Sequence, residues 1–380
     1  MTLKKTLLAS AAGAALFVLS APAATVVEAG SIKNGSATDL TIYGRVSRQF
    51  MVYNDGEEAG YLNTDGFVGD TRFGFKAKGK INEAVSVEGR LELDFKSNDP
   101  TSDINQSNEV EGDKYDIRHS WVSFNHKAFG KMTLGQQSTV SQGMSDGLDL
   151  GFAALAFSGM DPSLRSGGIL FRNDDATGNL SSTSVRNVFT TMDRGRSEAL
   201  KYETPNMNGF SGLASLYDSG NWGIGARYDG KHGSFKVRGR AFYENLSSED
   251  GTGASGDTGD RWQVGASVKH DSGISLTGLY GQRDRDDRSD NGVSYGVTLG
   301  YTANLNALGA TGIGIHYEGT EDIAAAGIDG QAVGLGISQQ IKNAGTDIYS
   351  QLMWWDADVA SSATPLESVV TFLVGARVKF

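Results

Sequence analysis

The sequence predicts an all-β chain: a transmembrane antiparallel barrel of sixteen strands with one loop far longer than the rest. Three observations carry this. Apolar and polar residues alternate with period two along almost the whole chain after residue 40. The chain opens on an export signal, yet nothing after it approaches the ~18 consecutive apolar residues of a membrane helix. The gaps between alternating segments are short and long in turn, residue 219 being an exception, which joins strands tightly at one end and loosely at the other.

The export signal comes first along the chain. Lys4 and Lys5 form a basic start, Leu7 to Leu19 an apolar stretch, and Ala21-Pro22-Ala23 a small-residue cleavage site. Residues 1–23 are read as a signal peptide and 24–380 as the mature barrel domain. Cleavage after Ala23 leaves 357 residues and moves the formal charge from −11 to −13. An exported chain without membrane helices is either soluble or a closed barrel. Only the barrel pairs every backbone N–H and C=O away from lipid.

Sixteen segments alternate: 40–54, 67–80, 84–97, 114–127, 129–137, 194–204, 209–218, 220–229, 232–246, 261–271, 273–284, 291–304, 309–320, 329–341, 346–358 and 367–380. In 84–97, Val85, Val87, Leu91, Leu93 and Phe95 alternate with Glu88, Arg90, Glu92, Asp94 and Lys96. The segment 114–127 is irregular, because its apolar residues change phase near Trp121. Longer gaps fall at 55–66, 98–113, 138–193, 247–260, 321–328 and 359–366. A soluble sandwich of this size would split into two domains, and no linker divides the chain. The polar faces are rich in Gly, Ser, Gln, Arg and Glu, as a wet lumen requires, and Tyr and Trp recur near strand ends.

Composition narrows function. With 51 Gly, 5 Pro and no repeat of collagen type, the chain is turn-rich sheet. The absence of Cys removes disulfides, thiolate metal sites and Cys nucleophiles. Net acidity argues against nucleic acid as a partner. "GMSDG" at 143–147 fits the G-x-S-x-G pattern of serine hydrolases, but Ser145 lacks the strand–turn–helix context that pattern needs. No enzymatic activity is expected, and no cofactor. The charge run "RDRDDRSDN" at 283–291 and the acidic loops 98–113 and 247–260 read as solvated. Ca²⁺ or Mg²⁺ bound there would bridge them to anionic lipid.

The strands also carry recognisable words: "TIYGRV" at 41–46, "TRFGFKAKG" at 71–79, "FGKMTLGQQ" at 129–137, "ALKYETPNMNGFSG" at 199–212 and "VGARVKF" at 374–380. In this order, ending on Phe, they resemble the Gram-negative general porins, from about Leu40 to Phe380. The resemblance implies a homotrimeric sixteen-stranded diffusion channel in the outer membrane, with lipid and lipopolysaccharide around it and small hydrophilic solutes passing through. It implies that the last strand, with Phe380 at its end, is read by the barrel-assembly machinery. It also implies a constriction. By motif its basic wall is Arg45, Arg72 and Arg118, with Arg194 or Arg196 as a fourth member, Arg194 being placed in the set. The loop 138–193 would fold inward and oppose the wall with Asp146, Asp149 and Asp161. Acidic mouths then imply weak cation selectivity. The rival is a barrel selective for a sugar or an anion, which the basic ladder Lys236, Arg238 and Arg240 keeps open.

Overall fold

The computed structural model describes residues 31–32, 37–66, 70–101, 104–110, 112, 114–246, 258–286, 289–323, 325–360 and 364–380. The export segment 1–23, Asp103, Glu111, Asp113, Asp287 and most of the loop 247–260 lie outside these residues. The described chain forms one closed antiparallel barrel of sixteen strands. They are β1 (Thr38–Asn54), β2 (Ala59–Asp65 continued by Arg72–Lys80), β3 (Val85–Lys96), β4 (Lys114–His126), β5 (Gly130–Ser138) and β6 (Arg196–Glu203). Then come β7 (Phe210–Tyr217), β8 (Trp222–His232), β9 (Phe235–Leu246), β10 (Gly259–His270) and β11 (Ile274–Arg285). The last are β12 (Gly292–Asn306), β13 (Gly309–Glu321), β14 (Ile328–Ile341), β15 (Thr346–Val359) and β16 (Val369–Lys379). Each pairs with the next, and β1 closes on β16 from Arg45↔Lys379 to Asn54↔Val370. A two-residue strand, Ser31–Ile32, pairs with β1 where β16 does not reach.

The alternation is inverted relative to a soluble protein, and that decides where the lipid lies. Leu134, Leu216 and Leu335 are 65 %, 63 % and 53 % exposed, while their neighbours Thr133, Ser215 and Gly334 turn inward and are buried. A sandwich would bury the leucines. Tyr61, Tyr115, Phe129, Phe210, Trp222 and Phe235 stand exposed at or near strand ends, as interfacial girdles do. The apolar set of the last strand, Val370 to Phe380, faces outward with them.

Two departures from the sequence reading have physical causes. The first expected long gap, 55–66, is largely strand: Ala59–Asp65 pairs with Arg48–Asn54, and only Asp55–Glu58 turns. "GYLNTD" has no continuous apolar run to announce it. The ladder then breaks before Arg72, which pairs with Arg45. The second concerns the phase change in β4. Glu92 pairs with His119 but Leu93 with Ile117, so Arg118 is an extra residue in a β-bulge. The bulge shifts the phase of every later side chain and aims Arg118 and His119 at the lumen together.

The long loop, 139–195, lies inside the barrel and winds along the wall from β7 round to β1. It carries short 3₁₀ turns at Phe152–Leu155 and Pro162–Arg165, a hairpin of Leu170–Arg172 with Leu180–Ser184, and one helical turn, Val185–Val188. A capping box closes that turn, with Ser184 accepting from Asn187 N and Asn187 accepting from Ser184 N. The loop docks through apolar side chains set into glycine gaps in the wall. A Cβ on Gly265 would stand 2.5 Å from Leu148, on Gly336 2.7 Å from Phe157, and on Gly330 2.5 Å from Val188. A side chain on any of the three would push against the loop residue packed there. Phe157, Phe171, Val185, Val188 and Phe189 merge with Tyr349, Met353, Trp355 and Leu373 of the wall into one buried cluster. The lumen is therefore wet on the side of β2–β6 and apolar behind the loop, rather than polar all round.

Candidate pore constriction

The uncovered wall, from β1 to β6, holds a dense patch of charge. Arg45 and Arg72 are cross-strand partners on β1 and β2, and Arg72 pairs in turn with Asp94 of β3. Arg118 reaches three carboxylates: Asp70 at 2.7 Å, Asp94 at 3.0 Å and Glu92 at 3.0 Å. Arg72 lies 3.4 Å from both Asp70 and Glu92. Arg90 binds Glu92 at 2.6 Å, and both bond the Tyr43 hydroxyl, which accepts from Arg90 at 2.7 Å and donates to Glu92 at 2.8 Å. The expected basic wall is thus an interleaved one. Asp70, Glu92 and Asp94 are almost completely buried among the guanidiniums and cancel much of their field. Arg45 has no carboxylate within 4 Å among the described residues; its Nε donates to the Asp70 carbonyl at 3.3 Å.

The remaining predicted residues separate. Asp146 stands toward the wall, with Arg196, Arg118 and Arg72 as the cations that act on it. Arg196, rather than Arg194, joins the cluster: its charged neighbours are Arg118, Arg72, Asp70 and Asp94. Arg194 lies over the Tyr217 ring at 5.0 Å, beside Glu244 and Arg261. Asp149 is turned to the opposite wall, where it accepts from Thr277 Oγ1 at 2.9 Å and Gly151 N at 2.7 Å. Asp161 is bound inside the loop by Arg186 at 2.8 and 2.9 Å, with Ser163 and Thr191 donating to it as well. These two are loop fasteners in the structure. The sequence could not separate them from Asp146, because all three sit in one irregular stretch without a period.

Burial pushes the carboxyls of Asp146 and Asp193 above the ordinary range, Asp193 the further; the charge of Asp161 raises both, and that of Asp146 raises Asp193 as well. Asp193 accepts from Gly143 N at 3.0 Å, Ser145 N at 3.1 Å and Ser145 Oγ at 3.0 Å. Ser145 also accepts from Gln263 at 2.8 Å. The serine of "GMSDG" is spent on holding the loop, with none of the geometry of a nucleophile. The far end of the loop is fixed by Arg165. Its fully buried guanidinium stacks 3.8 Å from the Tyr349 ring centre and donates to the Leu155 carbonyl, and burial lowers its pKa.

Phe380 closes the seam. Its N–H donates to the Gly44 carbonyl at 3.1 Å, its carbonyl accepts from Gly44 N at 2.9 Å, and its ring covers Gly44 from outside. As for metals, the described residues hold no group of three His, Asp or Glu suited to an ion. Most of the acidic loop 247–260 and three of the acidic residues in 98–113 fall outside them.

A closed barrel with a lipid-facing apolar belt, a wet charged wall and a loop folded across its inside defines an outer-membrane channel. The chain belongs to the Gram-negative porin family, whose model matches residues 8–359. It is 24% identical to the outer membrane porin PhoE of Enterobacter cloacae over 274 residues, 70% of this chain and 69% of that one. It is 25% identical to the porin protein OmpD of Citrobacter koseri over 211 residues, about half of each chain (54%). Among solved structures it resembles an anion-selective porin from Comamonas acidovorans, with a TM-score of 0.58 and 17% identity over 90% of this chain and 100% of that one. It resembles Salmonella typhi OmpF equally well, at 0.58 and 15% over 92% and 100%. The protein is an outer-membrane porin, not an enzyme, and porins need no cofactor.

Proposed function

We propose that this porin is a passive diffusion channel for ions and small hydrophilic solutes, with weak cation selectivity. The interleaved wall carries this reading. Because Asp70, Glu92 and Asp94 largely neutralise Arg72, Arg90 and Arg118, the narrow region aligns dipolar solutes without strongly rejecting either sign. Net preference then falls to Asp146 and to the acidic outer mouth, which concentrates cations at low salt. Screening beyond ~8 Å at physiological ionic strength keeps that preference small. The basic wall of the functional channel is Arg45, Arg72, Arg118 and Arg196, with Asp146 opposite. Asp149, Asp161 and Arg194 hold the loop in place.

The rest of the reading goes with the family. Residues 1–23 direct export and are removed, the channel works as a homotrimer, and Phe380 is read during assembly. A trimer form is described for OmpT of Vibrio cholerae, whose fold this chain shares at a TM-score of 0.54. Divalent ions would link the acidic loops to lipopolysaccharide. The second reading, an anion-selective channel, draws on the unpaired Arg45 and on the likeness to the Comamonas porin. A reversal potential in a KCl gradient separates the two: a cation-favouring sign supports the first, a strong anion preference the second.

A further inference from the structure

Where β8, β9 and β10 approach their short turns, the lumen wall carries a basic row that the constriction does not use. Lys231, Lys236 and Lys269 are Cα partners across three neighbouring strands, Lys231↔Lys236 and Lys236↔Lys269. All three lie on the inward face. On the same face Lys269 Nζ donates to the Leu150 carbonyl of the loop at 3.3 Å, and Arg238 Nη1 donates to the Gly147 carbonyl at 2.7 Å. The row therefore lies just below the loop tip, on the periplasmic side, since short turns mark that end of such barrels.

Like charges directly opposite one another destabilise a sheet, and the acidic groups nearby, Asp271 beside Lys231 and Asp149 toward Lys269, relieve these only in part. The one carboxylate in the neighbouring rung, Asp229, is already shared by Arg238 and Arg240 at 2.7 Å each. Lys231 has an exposed contact with Asp271 at 3.6 Å. Lys236 and Lys269 have no carboxylate within 4 Å among the described residues. Lys236 and Lys269, adjacent and without a carboxylate in contact, concentrate positive charge on this part of the lumen wall.

We propose that this row is a transient binding site for small multivalent oxyanions, of the phosphate or polycarboxylate type, at the periplasmic mouth. The forks of Arg238 and Arg240 are occupied by Asp229, so recognition falls to lysines, which read charge rather than planar shape. The site should therefore rank solutes by charge: pyrophosphate and citrate bind comparably, and acetate does not. It rests on the channel reading but makes a separate claim, about one mouth only.

The test is current blockade of single channels in planar bilayers in 0.1 M KCl, with pyrophosphate, citrate or acetate added to either side in turn. Pyrophosphate and citrate should produce brief blocks more often from one side. The double variant Lys236→Gln/Lys269→Gln should lower their frequency about tenfold or more while KCl conductance at 1 M salt stays unchanged. Blocks by pyrophosphate alone would mark a phosphate site, and by citrate alone a carboxylate site; either outcome overturns reading by charge. Absent blocks in a conducting channel, or blocks unchanged in the double variant, overturn the site itself. A folded protein with no KCl current would instead overturn the channel reading.

Discussion

Phe157 offers the sharpest test of how the internal loop is held. Its side chain is fully buried, stacked on His316 with ring centres 5.2 Å apart, in the gap that Gly314 and Gly336 leave in the wall. Phe157→Ala removes the ring and leaves a cavity that the rigid sheet cannot close, a loss of about 3–5 kcal/mol. Met144 on Gly225, Leu148 on Gly265 and Arg165 on Tyr349 remain, so the whole loop does not leave the wall. The loss falls on the stretch from about Phe152 to Met160. At 1.4 kcal/mol per tenfold, 3 kcal/mol raises the undocked population of that stretch about 100-fold. The barrel's ladder is untouched, so its heat resistance should barely change. The assay is open-channel current noise with mean conductance: noise should rise clearly and conductance modestly. Gly336→Ala presses on the same ring from behind, and should raise noise as well. Wild-type noise from a folded Phe157→Ala channel would refute the docking argument.

Three further outcomes are expected. Glu92→Gln removes the carboxylate that Arg72, Arg90 and Arg118 share, so the reversal potential should move toward anions, with a stability loss of about 3–5 kcal/mol read from thermal unfolding. Since burial raises the Asp146 pKa, acidification should weaken cation preference at a pH above the ordinary carboxylate value of 3.8, and Asp146→Asn should abolish that step. The same raised pKa means that the folded state holds its proton more tightly. Its stabilising contribution is present in acid and lost as pH rises through the folded value. Deleting Phe380 should lower outer-membrane levels in cells yet leave refolding in detergent nearly intact, because it removes two backbone bonds and one ring contact to Gly44 from a sixteen-strand ladder; normal levels in cells would remove its role in assembly.

The barrel was legible because a strand with one face in lipid and one in water writes period two directly into its sequence. That is why fifteen of the sixteen strand positions agree with the structure to within a few residues, and why β2, broken between Asp65 and Arg72, was recovered only in its second half. The phase change in β4 was visible as well, though only the paired register identifies it as a bulge at Arg118. Arg90, Glu92 and Asp94 lay in view on the polar face of β3, next in line to Arg72. The interleaved wall is encoded across neighbouring strands, in the register that sets Arg72 beside Asp94, and not within any one of them. The loop resists such reading. Asp146, Asp149 and Asp161 differ in role only through what the fold brings to them, Arg196, Thr277 and Arg186 respectively, and no local pattern encodes those meetings.

Diffusion needs a water-filled passage between the loop and the wall of β1–β6, and single-channel recording of the purified, folded protein in a planar bilayer detects one. Ohmic current steps in KCl are expected, grouped in threes, with a small cation-favouring reversal potential in a salt gradient. Folded protein that inserts and passes no current would show that the loop closes the barrel.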